Sequence, residues 1–171
     1  RQVLAACREM IIDMVQQQAD CWQRDIRPAL ARAGVHALSY NDLTEQERAR
    51  VDDWFMANVF PTLTPLAVDP GHRFPFISNL SENLGVLLRA PGSREHKFAR
   101  VKIPDVLTQF VRADDPSKSL ADEPPMRIIA LDDLVRHNLD DLFPGLDIIA
   151  VQPFRLTRSA APELDEDDDE A

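Results

Sequence analysis

The sequence has 171 residues, of which 44% are hydrophobic and 28% are charged, and its formal net charge is −10. This composition is typical of a soluble globular protein. No stretch approaches the ~20 consecutive apolar residues of a membrane-spanning helix, and the negative charge argues against a general nucleic-acid binder.

Residues 1–25 are predicted to form one helix with an apolar stripe. The stripe recurs at coiled-coil-like spacing and comprises Leu4, Cys7, Ile11, Met14 and Cys21. Pro28 should kink or restart the helix, and Gly34 is a natural C-terminal stop. Since such a stripe needs partner helices and the chain offers few, we expect an exposed apolar face unless a neighbouring chain covers it.

The two cysteines of this helix, Cys7 and Cys21, are two heptads apart. At 1.5 Å rise per residue they lie roughly 21 Å apart, which forbids a disulfide within the helix. We therefore expect two buried thiols in a reducing compartment. Their neighbours do not suggest a metal site.

A second helix is predicted after the connection 35–43. Thr44 and Glu47 form the T-x-x-E capping box that starts such a helix, and Pro61 should end it. The expected buried face comprises Val51, Trp54, Phe55 and Val59.

Residues 59–84 form the most unusual stretch of the chain, because prolines alternate there with large apolar side chains. The prolines are Pro61, Pro65, Pro70 and Pro75. Proline fixes φ and removes a backbone donor, whereas a solvated linker would lack apolar residues such as Phe76. We interpret the stretch as an extended, buried connection, and the alternative is an exposed proline-rich loop.

The remaining pattern predicts strands, one helix and an unstructured end. The expected elements are a strand at 84–89, an antiparallel partner at 97–103, a short helical turn or strand at 106–111, a loop at 113–125, a strand at 127–131, a helix at 132–143 and a strand at 148–158. Seven negative charges between Glu163 and Glu170 should keep the end unstructured. The fold class is therefore α+β: an N-terminal helix or helices, then a small antiparallel or mixed sheet with packed helices.

The proline stretch also carries a resemblance to a known family. Residues 60–84 read F-P-x-L-T-P-L-A-V-D-P-x-H-x-F-P-F-I-S-N-L-S-x-N-L, which resembles the head-domain signature of the long bacterial polyphosphate kinases. The resemblance continues through ARVKIP at 99–104, LFPG at 142–145 and FRLTR at 154–158. A motif of this length is far more specific than a short glycine-loop pattern.

The resemblance implies a fragment of a longer enzyme. It implies that residues 1–34 are the last helix of a helical N-terminal domain, that 35–158 belong to the head domain, and that 159–171 are an acidic tail within the head domain. The implied reaction is reversible transfer of the terminal phosphate of ATP to polyphosphate through a phosphohistidine, with magnesium. The family's catalytic histidine, phosphate-binding arginines and metal site would lie in C-terminal domains, so we assign no catalytic, cofactor-binding or metal residue to this chain.

The implied partners are the other domains of the same chain, a second copy in a dimer, and polyphosphate, without nucleic acid. The implied role of this part is architectural, in dimerisation and in walling the nucleotide pocket, and the fragment alone should be inactive. The implied location is the cytoplasm, with peripheral membrane association left open. The alternative is a free-standing, non-enzymatic protein-interaction module.

Few side chains suggest chemistry by their own pattern. The four histidines, His36, His72, His96 and His137, have neither metal-ligand spacing nor a neighbouring nucleophile, so we expect non-catalytic roles. Asn79, Ser81 and Asn83 could contact a nucleotide, but we favour hydrogen bonds that satisfy the turn.

Two sets of basic residues could meet a polyanion. The segment 89–112 carries Arg89, Arg94, Lys97, Arg100, Lys102 and Arg112. A solvated hairpin face explains them as well, and we prefer that interpretation. For Arg155 and Arg158 we expect salt bridges with acids of the same domain.

Overall fold

The structure is a computed structural model that describes residues 2–68 and 76–157. The chain divides into two compact units. The first unit combines Arg1–Thr62 with Val106–Phe143, and the second combines Leu63–Asp105 with Pro144–Ala171. The domain boundaries predicted at residues 34 and 158 stay predictions.

The first unit opens with a long helix, as the apolar periodicity predicts. Helix α1 spans Gln2–Cys21, a π-helical turn spans Trp22–Ile26, and α2 spans Arg27–Arg32. Pro28 follows directly on this π-helical turn, in which the Arg27 N–H donates to the Trp22 carbonyl oxygen, so the hydrogen-bond pattern of the helix changes next to the residue that lacks a donor. Gly34 then takes φ +83°, a conformation that favours glycine.

The apolar stripe of α1 is exposed among the described residues, as expected. Leu4 is 73% exposed, Ile11 58% and Met14 62%. The prediction for the cysteines is wrong: Cys7 and Cys21 are both exposed. Both cysteines lie on the helix that the periodicity predicts, but the apolar face of this helix would be buried only against a partner helix or chain.

Helix α3, Glu45–Asn58, begins at the predicted capping box. Thr44 Oγ1 accepts from the Glu47 backbone N–H, and the Glu47 carboxylate accepts from the Thr44 N–H at 2.9 Å. Val51, Phe55 and Val59 are fully buried. A 3-10 turn at Tyr40–Asp42 precedes α3, and another at Phe60–Thr62 follows it.

A three-stranded mixed sheet completes the first unit. Its strands are β1 (Val35–Leu38), β5 (Phe110–Arg112) and β6 (Met126–Ala130), in the order β1-β6-β5. β1 is parallel to β6, and β5 is antiparallel to it. The predicted helix at 132–143 is two helices, α4 (Leu131–His137) and α5 (Leu139–Leu142), which meet at Asn138.

The second unit is built on a four-stranded antiparallel sheet. Its strands are β2 (Leu66–Val68), β3 (Glu82–Arg89), β4 (His96–Lys102) and β7 (Asp147–Arg155), in the order β2-β4-β3-β7. β3 and β4 form the predicted hairpin. One face is the apolar core of the unit, with Leu84, Val86, Leu88, Ala99 and Val101 at most 3% exposed. Pro153 lies within β7 without ending it.

The proline stretch is only partly the buried connection that its composition predicts. Leu63 and Ile77 are buried, but Phe76 is 74% exposed, so its predicted burial is wrong. The chain turns after Ile77, where the Ser81 N–H donates to the Ser78 carbonyl oxygen and Leu80 has φ +59°. Phe76 and Ile77 are adjacent and both are large and apolar, so composition alone does not reveal which of them is buried. Residues 69–75 of the stretch, with Pro70 and Pro75, lie outside the described residues.

Candidate functional site

Polar side chains of the first unit gather around Tyr40, in the 3-10 turn before α3. The Tyr40 hydroxyl donates to Asp52 Oδ2 at 2.7 Å, and its backbone N–H donates to Asp133 Oδ2 at 2.8 Å. Asn138 Nδ2 donates to the other Asp52 oxygen at 3.2 Å. These bonds tie the turn to α3 and to the α4–α5 junction.

Two further side chains lie against the Tyr40 ring. The His137 ring is stacked on it, with centroids 4.3 Å apart and planes 14° apart. The Arg48 guanidinium carbon is 5.5 Å from the Tyr40 centroid, and Arg48 also donates to the Tyr40 carbonyl oxygen at 3.3 Å. We call Tyr40, Arg48, Asp52, Asp133, His137 and Asn138 the Tyr40 cluster.

The electrostatics of the cluster favour a binding or structural role over proton transfer. Burial, and then the hydrogen bond to Asp52, raises the pKa of Tyr40 to about 12. The phenol therefore keeps its proton at neutral pH, and that proton is committed to Asp52. His137 Nδ1 lies 2.9 Å from the Asp133 carbonyl oxygen. Because a carbonyl oxygen only accepts, Nδ1 carries the ring proton in this contact.

A charged network lies on the same unit around Glu47. Arg127 donates to both Glu47 carboxylate oxygens, and its backbone N–H donates to Asp114 Oδ1 at 3.1 Å. Asp114 also accepts two bonds from Arg112, which lies 3.7 Å from Asp122. Burial is the largest single influence on the pKa of Glu47 and of Asp114 and acts to raise it, but the hydrogen bonds and positive charge of their partners together hold both pKa values below the ordinary ones.

Three of the four histidines lie on described elements. His36 is on β1, His137 ends α4, and His96 begins β4 in the other unit. His72 lies outside the described residues. Within residues 2–68 and 76–157, no group of three His, Cys, Asp or Glu side chains is placed to hold a metal ion.

The basic segment is also dispersed. Arg112 belongs to the first unit, whereas the other five basic residues belong to the second. Arg89 pairs with Asp147 at 3.1 Å and Lys102 pairs with Asp105 at 2.7 Å. Arg100 is buried, with 7% exposed. The described residues therefore do not present the six as one cationic face.

The polar residues after the proline stretch satisfy a turn. Ser81 Oγ donates to the Ser78 carbonyl oxygen at 2.8 Å, and Asn83 Nδ2 donates to the Ser81 carbonyl oxygen at 2.8 Å. Asn79 makes contacts as well. Arg155 forms the expected salt bridge, with Glu82 of its own unit. Arg158 lies outside the described residues.

Sequence reasoning missed the Tyr40 cluster, although one signal was available. Asn138 occupies a position between Leu134 and Leu142 on the apolar stripe of the predicted helix. A polar residue on such a stripe needs a hydrogen-bond partner when it is buried. The partner, Asp52, could not be identified because it lies on another helix.

Comparison with known proteins places the chain among longer relatives. A family model described as the polyphosphate kinase middle domain matches residues 46–171. The polyphosphate kinase of Streptomyces coelicolor is 39% identical over 170 residues, which cover 99% of this chain and 21% of the relative. That of Aphanizomenon baltica is 42% identical over 162 residues, which cover 91% of this chain and 41% of the relative.

The fold has a counterpart among solved structures. The crystal structure of polyphosphate kinase from Porphyromonas gingivalis matches with a TM-score of 0.76 over 92% of this chain and 26% of that chain. At 23% identity this likeness shows the shared α+β fold. The chain spans between about a fifth and two fifths of the length of the curated relatives that it matches.

Proposed function

This chain belongs to the polyphosphate kinase family, and we propose that it is a non-catalytic part of such an enzyme. For the longer protein we propose reversible transfer of the terminal phosphate of ATP to inorganic polyphosphate through a phosphohistidine, with magnesium. The names of the relatives and the motif at residues 60–84 support this proposal. Among the described residues, no group of three His, Cys, Asp or Glu side chains is suited to a metal ion, so we assign no magnesium ligand to this chain.

The observation that best supports an architectural role is that the clustered charged and polar side chains are already paired with one another. Glu47 and Arg127 join α3 to β6, and the Tyr40 hydroxyl bonds Asp52. Groups paired in this way hold elements in place and are poor acids, bases or nucleophiles. We propose that the chain supports the catalytic segments and walls their nucleotide pocket.

We also propose that the chain takes part in dimerisation. The exposed apolar stripe of α1 supports this, because contiguous apolar surface typically marks an interaction site. The same stripe favours a second candidate function, a free-standing interaction module without enzymatic context.

A direct assay tests the inactivity of this part. The purified 171-residue chain, incubated with ATP, magnesium and a polyphosphate primer, should produce no ADP above background. A full-length polyphosphate kinase, such as the Streptomyces coelicolor relative, provides the positive control. Measurable turnover by the chain alone would refute the non-catalytic role.

An exchange experiment separates the two candidate functions. The chain replaces the matching segment of the Streptomyces coelicolor relative, to which 99% of it aligns. A supporting part of the enzyme should restore polyphosphate synthesis in this chimera, whereas a free-standing interaction module should not. A folded but inactive chimera would favour the interaction module.

We propose a cytoplasmic location, in keeping with ATP as the substrate of the longer protein. Among the residues with described positions, no helix is both long and apolar enough to cross a membrane.

A further inference from the structure

Arg100, on β4, is a buried cation that is incompletely paired. Its Nη1 donates to the Phe76 carbonyl oxygen at 3.0 Å, but its Nε is buried and has no hydrogen-bond partner. The described residues provide no acidic partner for it. A buried guanidinium without a counter-charge is costly, and a ligand oxygen would offset that cost.

Asn83, on β3, has a buried acceptor without a hydrogen-bond donor, whereas Arg100 has a buried donor without an acceptor. Its Nδ2 donates to the Ser81 carbonyl oxygen and to Ser81 Oγ at 2.8 and 3.1 Å. Ser81 Oγ gives its own proton to the Ser78 carbonyl oxygen, so both Ser81 atoms act as acceptors and the orientation of the Asn83 amide is fixed. Asn83 Oδ1, on a residue only 2% exposed, is left without a donor.

The two groups lie on one face of the sheet. Asn83 is paired with Lys102, and Arg100 is two positions from Lys102 on the same strand. Such diagonal neighbours share a face and lie about 7–8 Å apart, a distance that one small ligand can bridge. Gly85, opposite Arg100, adds no side chain to this face, and the Phe98 ring covers it, because a Cβ at Gly85 would lie only 3.0 Å from that ring.

We infer that Arg100 and Asn83 form a site for a small oxyanion that carries a hydroxyl group. Nε and a terminal N–H of a guanidinium share an edge that fits two oxyanion oxygens. The hydroxyl of the ligand would donate to Asn83 Oδ1. Hydrogen phosphate has both features, whereas sulfate at neutral pH has the oxygens but no proton. This inference stands on these atoms and does not depend on the proposed function.

The test follows the Nε–H resonance of Arg100 by ¹⁵N NMR in the 171-residue chain. Phosphate should shift this resonance saturably at constant ionic strength, and sulfate should bind about tenfold more weakly, as expected for one lost hydrogen bond. Replacing Asn83 with Leu should remove the preference for phosphate. The control Arg89→Gln, which removes a cation paired with Asp147, should bind phosphate as the wild type does.

Two outcomes would overturn the inference, and both use the unaltered protein. An Arg100 Nε–H resonance that does not respond to phosphate up to roughly 50 mM would mean that water satisfies both groups. Equal responses to phosphate and sulfate would mean that no ligand hydroxyl reaches Asn83.

Discussion

Arg127 donates to both carboxylate oxygens of Glu47, at 2.5 and 3.2 Å, across 80 positions of sequence. The same carboxylate closes the capping box of α3 through Thr44. One side chain therefore both starts a helix and fixes that helix to β6. A local motif of four residues thereby acquires a long-range partner.

Replacing Glu47 with Gln should destabilise the chain by about 1–3 kcal/mol. Gln can still close a capping box, but the Arg127 charge would lose its partner at a side chain that is only 6% exposed. Chemical denaturation at neutral pH measures the change. Glu45→Gln, in the exposed first turn of the same helix, is the control and should cost only a few tenths of a kcal/mol.

The contribution of Glu47 should also depend on pH. Because its folded pKa lies below the ordinary value of 4.5, its stabilisation is complete above that value and is lost as the pH falls through the folded pKa. The penalty of Glu47→Gln should therefore shrink between about pH 5 and about pH 3. If Glu47→Gln costs the same unfolding free energy at both pH values, the charge of Glu47 is not the origin of the lost stability.

Replacing Phe76 with Ala should change stability by less than ~0.5 kcal/mol, because its side chain is mostly exposed. Ile77→Ala is the matched comparison. That residue is 4% exposed, so the substitution should cost about 2–5 kcal/mol. Denaturation midpoints of the two variants measure the contrast, and equal losses would place Phe76 in the core after all.

Replacing both Ile11 and Met14 with Glu should reduce self-association. The two residues are 58% and 62% exposed on the stripe of α1, and two charges there would oppose contact with an apolar partner. Sedimentation of both proteins at equal concentration measures the shift towards monomer. Ala5→Glu with Gln16→Glu adds the same charge on the opposite side of the helix and should have no effect. A monomeric wild type at all concentrations would refute the prediction.

Tyr40 should ionise with a pKa near 12. It is the only tyrosine of the chain, so absorbance at alkaline pH reports it alone. Since the folded pKa is raised, its contribution to stability is complete below about pH 10 and is lost as the pH rises towards 12. Asp52→Asn should lower the midpoint, whereas Asp53→Asn, a neighbour on the same helix, should not. An unchanged midpoint in Asp52→Asn would exclude that carboxylate as a cause.

Local chemistry predicted much of the fold. The capping box at Thr44 and Glu47, the apolar run of β3 and the alternation of β4 are readable because each involves neighbours in sequence. The strands β1 and β2 were missed. They have four and three residues, too few to show a period, and each pairs with a strand that is distant or not adjacent in sequence.

Side-chain networks were less predictable than elements. The Tyr40 cluster draws on a turn and two helices, and its members have ordinary positions in each. The exposure of Phe76 beside the buried Ile77 is not signalled by residue type, because both side chains are large and apolar. The positive φ of Leu80 is uncommon for leucine and is likewise not signalled by the residue type. Such features depend on tertiary contacts that no local pattern contains.

Each of the two units is built from two separate segments of the chain, and this has a consequence for biosynthesis. β1 ends at Leu38, but its parallel partner β6 begins only at Met126, after most of the second unit has been made. β1 therefore leaves the ribosome without its neighbour, and the sheet can form only after Ala130, the last residue of β6, has been synthesised. Pairing across so long a loop is slow. A nascent chain that stops at residue 105 would lack both β5 and β6, and would be a natural substrate for chaperones.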